Sequence, residues 1–463
     1  MVNRFGSMVQ WQPFDVLTYG KANVHACGRS RDFILTFSMN LDDARVAVIG
    51  LGYVGLPLAV ELGKKFPTLG FDLKSERIAE LHDGHDSTGE VDPVDLATSS
   101  HLTFTSALDD LADCNVYIVA VPTPIDDFHQ PNLRPLISAS EIIGKYISSG
   151  DVIVYESTVY PGATEGDCIP VVEKASGLRY NVDFFAGYSP ERINPGDKTR
   201  PLKKIMKVTS GSTPEVADFV DAFYSEIIEA GTFKATSIRV AEASKIIENT
   251  QRDVNIALIN ELSIMFDQFG IDTNEVIDAA ATKWNFINLR PGLVGGHCIG
   301  VDPYYLVHKS IAVGHIPDII RLAREINDGM AQHVVSLLIK TMIAKDSKIK
   351  GARILVEGFT FKENCPDTRN TKVIDLVRGL LQYGITCDVH DDCADDSEVK
   401  DEYDIDLIET VDPNIKYDAV ILAVSHKQAL ERGASYYRSI LADNGVFFDM
   451  KAAFPASDSD VRL

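Results

Sequence analysis

Short apolar runs recur along the chain at intervals that suit buried strands separated by helices. The clearest is "RVAVIG" (45–50): brief, β-branched and closed by a glycine, as a strand buried on both faces must be. "TLGFD", "HLTFT", "NVYIVAVP", "DVIVYES", "DFFAGYSP" and "IMKVTSG" follow. Helical patterns lie between several of them, and that alternation predicts a doubly wound α/β sheet. Residues 238–269 then run without Gly or Pro up to Gly270, which predicts one long helix able to join two domains. A mainly helical pattern continues to about residue 345. Strands return as "ARILVEGFTF", "TCDVHDD", "YDAVILAV" and "GVFFDM", predicting a second, smaller α/β domain. The expected divisions are 41–210, 211–345 and 346–463. Residues 1–40 show no periodicity and are expected to form an extension without ordered structure. The acid-rich segment 388–412 is expected to be a solvated face.

The first strand runs into "VAVIGLGYVGLP", where Gly50, Gly52 and Gly55 form G-x-G-x-x-G ahead of a helix. The first glycine permits the tight turn, the second lets a pyrophosphate approach the backbone, and the third lets helix and strand pack closely. The helix N-terminus then faces the phosphates. Asp72 ends the second strand 22 residues after Gly50. An acid at that spacing accepts from ribose hydroxyls and repels a 2′-phosphate, so NAD is favoured over NADP. Arg77 is expected to reach the same region. Ligands of open α/β sheets lie beyond the carboxyl ends of the strands. Thr123 in "AVPTP" and Glu156 and Thr158 in "YESTVYPG" are therefore candidates for lining the cleft. Each also fits ordinary turn chemistry.

"GLVGGHCIGVDPYYL" (292–306) places a thiol, Cys298, after two glycines and a carboxylate, Asp302, four residues later. A thiolate beside a nicotinamide suggests aldehyde-level chemistry: addition to an aldehyde, then hydride loss to a thioester. The glycines are expected to admit substrate and to offer unhindered N–H groups. Asp302 is expected to handle a proton or a water. On the long helix Lys245 and Asn249 are four apart and share a face, where a desolvated ammonium can stabilise an alkoxide. Glu191 in "SPERINPG" is a candidate general base, and Arg192 a candidate pairing partner.

The bulk numbers narrow the partners. Acidic residues number 67 against 44 basic ones, a net charge of −23, which argues against a broad nucleic-acid or anionic-membrane surface. The longest charge-free apolar run, 46–60, is too short and Gly-rich to span a bilayer. Seven scattered cysteines with no CxxC or Cys/His zinc spacing predict free thiols, no metal and a cytoplasmic location.

In order, "GLGYVGLPLAVE", "VPTP", "ESTVYPG", "YSPERINPGD", "AEASKIIENTQRDVNIALINE", "PGLVGGHCIGVDPYYL" and "GFTFKENCPDTRNTKVID" closely resemble the UDP-glucose/GDP-mannose dehydrogenase family. The resemblance runs from about residue 44 to the C-terminus. It implies two Rossmann-like doubly wound domains joined by a long helix and a helical dimerisation region, with NAD bound first and a UDP-sugar last. It implies oxidation of a sugar 6-hydroxyl to a carboxylate with two NAD+. Cys298 would be the nucleophile, Lys245 and Asp302 would manage oxyanion and water, and Asn249 would contact the sugar. Glu191 would be the base and Thr158 would assist the water. Tyr53, Val54, Pro122 and Arg369 join the cofactor set. Arg192, Asn194, Gly295, Lys362 and Arg290 join the substrate set, Arg290 by way of the dimer.

His297 and Val301 stand where the UDP-glucose and GDP-mannose branches usually carry Ser and Lys. That variant is similar to the UDP-N-acetylhexosamine branch of the Vi-antigen and O-antigen type. The expected activity is NAD-dependent 6-oxidation of UDP-N-acetylglucosamine for surface polysaccharide or capsule synthesis, in a homodimer. UDP-N-acetylgalactosamine, UDP-glucose, or a non-catalytic NAD-binding regulator are the alternatives. The gluco or galacto preference turns on a few pocket contacts and is open at this point.

Overall fold

The computed structural model describes residues 37–126, 128–193 and 199–463. The first strands are β1 (Val46–Ile49), β2 (Thr68–Phe71), β3 (Leu102–Thr105), β4 (Val116–Val119), β5 (Val152–Tyr155) and β6 (Phe185–Tyr188). They form one parallel sheet in the order β3-β2-β1-β4-β5-β6. Helices α1 (Gly55–Leu62), α2 (Ser75–His82), α3 (Pro93–Thr98), α4 (Arg134–Tyr146) and α5 (Ile169–Ser176) lie between them in the chain. Every residue of β1, β4, β5 and β6 is buried, which is why those segments read as unbroken apolar runs. The strand order reverses between β1 and β4, and that switch point is where such sheets bind ligands.

"IMKVTSG" is a strand, but not of this sheet. β7 (Lys207–Thr209) pairs with β8 (Thr232–Lys234) in a separate two-stranded sheet, with α6 (Pro214–Ser225) between them. Val216, Phe219, Val220 and Phe223 of α6 share a core with Val46, Val48 and Val154. The expected division at 210 therefore cuts through a packed unit, which continues to the start of the long helix. Phe37 corrects the other end. Its ring meets those of Phe185 and Phe219 edge-on at 5.1 and 5.2 Å, so residues 37–40 pack with the first domain. The remainder of the expected extension, 1–36, lies outside the described residues.

The long helix is α7 (Ile238–Phe269), as its pattern predicts. Ser237 caps its start by accepting from the Val240 N–H, and Gly270, at φ 67°, ends it in the left-handed conformation. At ~1.5 Å per residue it spans about 48 Å. Helices α8 (Thr273–Ala281), α9 (Asp302–Ala312) and α10 (Asp318–Ala344) follow. The α7–α10 seam contains a buried polar network. Arg324 donates to Asp253 at 2.5 Å and to Asp328 at 2.6 Å, and Asn327 donates to Asp253.

The last domain holds β9 (Arg353–Glu357), β10 (Thr386–His390), β11 (Tyr417–Leu422), β12 (Leu441–Asp449) and β13 (Val461–Arg462). Its helices are α11 (Val373–Leu381), α12 (Asp396–Tyr403) and α13 (Lys427–Ser439). The parallel order is β10-β9-β11-β12-β13. A further parallel bridge joins Leu407 to Val389 on the open side of β10. With that edge counted, the second sheet repeats the strand order of the first. The acid-rich 388–412 segment is only partly a solvated face. Asp391 accepts the N–H groups of Phe359, Thr360, Cys393 and Ala394, and Asp392 pairs with Arg432. Those carboxylates tie off the carboxyl ends of the strands.

Candidate active site

The glycine loop leaves β1 with Gly50 at φ 93°, a conformation that disfavours any side chain. A Cβ at Gly55 would lie 1.8 Å from the Gly50 carbonyl oxygen, while one at Gly52 would meet nothing within 4 Å. The outer glycines thus serve close packing, and the middle one faces open space where a pyrophosphate fits. Asp72 follows β2 and accepts from the N–H groups of Leu51 (2.9 Å) and Lys74 (3.0 Å). Each carboxylate oxygen keeps acceptor capacity for a ribose hydroxyl. Val54 is the N-cap of α1 and makes no side-chain cap bond. These residues fit a dinucleotide. Arg77 reaches the same loop: it donates to the Leu51 carbonyl at 3.0 Å and pairs with Glu80 and Asp86. It buttresses the back of the loop, with its guanidinium held by carboxylates.

Beyond β4, Pro122 and Thr123 lie beside α9, where the Tyr305 hydroxyl bonds the Pro124 carbonyl at 3.2 Å and Thr123. Beyond β5, the Ser157 hydroxyl donates to the Val121 carbonyl at 2.6 Å, placing its neighbour Thr158 at the same edge of the sheet. Glu156 is not in the cleft. It is fully buried, its two oxygens held by Lys207 at 2.5 Å and by the Tyr224 hydroxyl.

Lys245 and Asn249, one turn apart on α7, are both buried. Asn249 donates to Asp302 at 2.6 Å. Asp302 opens α9, and its N–H bonds the Cys298 carbonyl at 2.9 Å, so thiol and carboxylate are joined by a single turn. Burial raises the Asp302 carboxyl to about 6 against the pull of Lys245 and the Asn249 amide. Burial also pushes the Cys298 thiol up, while Lys245 and Arg369 act in the opposite direction. Cys298, Lys245, Asn249 and Asp302 therefore form one cluster. His297, beside the thiol, is driven down to about 4 by burial and by Arg369 and is neutral at pH 7.

The glycines around the thiol also serve close packing. A Cβ at Gly295 would lie 2.6 Å from the Asn370 carbonyl oxygen, and one at Gly296, at φ 80°, would lie 2.8 Å from the Phe361 ring. The Gly296 N–H donates to the Asn370 carbonyl (3.1 Å), and the Asn370 amide returns a bond to the Gly296 carbonyl (2.9 Å). The run thus seats the thiol loop against the segment between β9 and α11, and that segment also carries Lys362 and Arg369. Arg369 pairs with Asp367 at 2.6 Å and stacks over the Tyr53 ring at 4.0 Å, so the last domain touches the glycine loop of the first.

Glu191 follows β6, buried, and accepts the N–H groups of Arg192 and Ile193 on one oxygen. Arg192 pairs with Glu248 of α7 at 2.8 Å and donates to the Met206 carbonyl. That pairing ties the Glu191 turn to α7 next to Asn249. Arg290 bonds Asn274 and Asp278 of α8, within its own chain. Asn194 lies outside the described residues. The pattern missed Lys207, Asn370 and the Asp253–Arg324 pair. Only Lys207 left a signal, a lone charge in an otherwise uncharged strand.

A doubly wound sheet with a glycine loop, meeting a thiol beside a lysine and a carboxylate, defines a dinucleotide-binding dehydrogenase. Three family models match in sequence: the NAD binding domain at 44–228, the central domain at 239–329 and the UDP binding domain at 355–456. The chain belongs to the UDP-glucose/GDP-mannose dehydrogenase family, and its cofactor is NAD. It is 58% identical over 423 residues to UDP-N-acetyl-D-glucosamine 6-dehydrogenase of Pseudomonas aeruginosa, covering 91% of this chain and 100% of that one. The Salmonella typhi protein of the same name is 52% identical, covering 91% and 99%. Among solved structures, a UDP-D-ManNAc dehydrogenase from Pyrococcus horikoshii superposes with a TM-score of 0.81 at 28% identity, over 90% of this chain and 98% of that one. Among the described residues no helix is long and apolar enough to cross a membrane.

Proposed function

We propose that this protein oxidises the 6-hydroxyl of UDP-N-acetylglucosamine to the carboxylate with two NAD+, through a covalent intermediate on Cys298. The observation that carries the reading is the cluster of Cys298, Lys245, Asn249 and Asp302 beside the glycine loop, in a chain 58% identical to an enzyme of that name. NAD+ bound against the loop supplies the hydride acceptor for both oxidations. Gly52 gives it room and Asp72 holds its ribose. Lys245, buried in the same cluster, would stabilise an oxyanion at carbon 6, and Asn249 holds Asp302 in place. Cys298 Sγ adds to the aldehyde carbon, and the second oxidation leaves a thioester. Glu191 takes a proton from water, which attacks the thioester carbonyl and frees the acid and the thiol.

The same reading makes the protein a homodimer of the cytoplasm. Val240, Ile247, Leu258, Met265 and Phe269 of α7 are all exposed, and their spacings of 7, 11, 7 and 4 place them on one stripe. A second copy of this chain presents the same stripe and can cover it isologously.

Cys298→Ser is the test of the covalent step. The variant is expected to keep NAD+ affinity and to form no sugar acid. Acid formed at the parent rate would rule the thiol out.

A further inference from the structure

We propose that Lys207 is a positioning residue for thioester hydrolysis. Its buried ammonium, shared between Glu156 and Glu191, anchors the turn that carries Glu191 and leaves Glu191 Oε2 as the acceptor for the attacking water's proton. The inference rests on the reading of Glu191 as the base.

Lys207 is 2% exposed. A buried ammonium is unfavourable unless it is paired and hydrogen-bonded, and each donor here has a direction. Nζ bonds Glu156 Oε2 at 2.5 Å and the Pro190 carbonyl at 3.1 Å. It faces Glu191 Oε2 at 3.7 Å, within ion-pair reach but too far for a hydrogen bond. The bond to Pro190 fixes the peptide immediately before Glu191. Glu191 Oε1 is occupied by two backbone N–H groups, whereas Oε2 is buried with no hydrogen-bond partner among the described residues. An acceptor left orphaned in a native interior calls for a use, and a water aligned for attack supplies one.

Among the described residues, few charged groups face Glu191. Lys207 of β7 faces it directly, with Glu156 after β5 and Tyr224 of α6 behind. Arg192, on the same turn, is directed away to Glu248 of α7. Glu156 is held on both oxygens, so Glu191 Oε2 is the carboxylate oxygen that Lys207 faces without bonding. In the step itself, Oε2 accepts the water proton as the oxygen bonds to the thioester carbon. The carbon–sulfur bond then breaks, and Cys298 leaves as thiolate and is reprotonated. No electrons are transferred.

The test uses the full chain with NAD+ and UDP-N-acetylglucosamine, acid-quenched in steady state, with intact mass reading the adduct on Cys298. Glu191→Gln is the reference and is expected to accumulate thioester. Lys207→Met is expected to accumulate it too, with kcat down about tenfold or more and the first NADH formed near the parent rate. Lys207→Arg, which keeps the charge, restores hydrolysis. Lys207→Met/Glu156→Gln removes the buried unpaired carboxylate and still accumulates thioester, so a folding defect in the single variant leaves the test intact. If the double variant hydrolyses thioester at the parent rate while Glu191→Gln accumulates it, Lys207 has no such role and the base stands. If Glu191→Gln accumulates none, both fall.

Discussion

Asp302 illustrates how one environment sets chemistry at a single residue. Burial holds its carboxyl at about 6, so it is neutral below that pH and ionised above it. If the ionised form receives protons during turnover, kcat/KM falls as pH drops through about 6. Asp302→Asn removes that limb from the pH–rate profile and lowers the plateau. An unchanged limb in the variant would assign the titration to another group. The residue type and spacing were legible in the sequence, because a thiol and a carboxylate four apart at a helix start share one turn. The direction of the thiol was not. Burial outweighs Lys245 and Arg369 at Cys298, and no local pattern shows how deeply the thiol is buried.

At the scale of elements, β1, the glycine loop and α7 were readable because their signals are local: a buried strand is uniformly apolar, and a helix is bounded by a cap and a glycine. The glycines before Cys298 were visible, but the neighbours they pack against were not. They accommodate Asn370 and Phe361, 75 and 65 residues further along, and contacts that distant leave no mark on their own neighbourhood. Lys207, Arg192 and Glu156 were obscure for the same reason, since their partners come from other strands and helices. Gly295→Ala would place a methyl against the Asn370 backbone, an overpacking of about 1–3 kcal/mol at the seam between thiol loop and last domain. The expected result is a kcat/KM for the UDP-sugar at least about tenfold lower, with NAD+ affinity close to the parent value by titration calorimetry. An equal loss in both would mean that the seam does not separate the two sites.

For the molecule as a whole, the two parallel sheets and the helical middle follow from the alternation of apolar runs. Beyond the expected division at 210, α6, apolar on one face, packs back onto the first sheet. The stripe on α7 provides the test of assembly. Leu258→Asp with Ile247→Asp places charge at its centre and should yield monomers by sedimentation velocity, whereas an unchanged mass would move the interface elsewhere. The central claim, a four-electron oxidation through Cys298, is tested most directly by counting NADH formed per UDP-N-acetylglucosamine consumed, with NAD+ in excess. Two NADH per sugar is the expected result; one NADH, with aldehyde released, would contradict the covalent second oxidation.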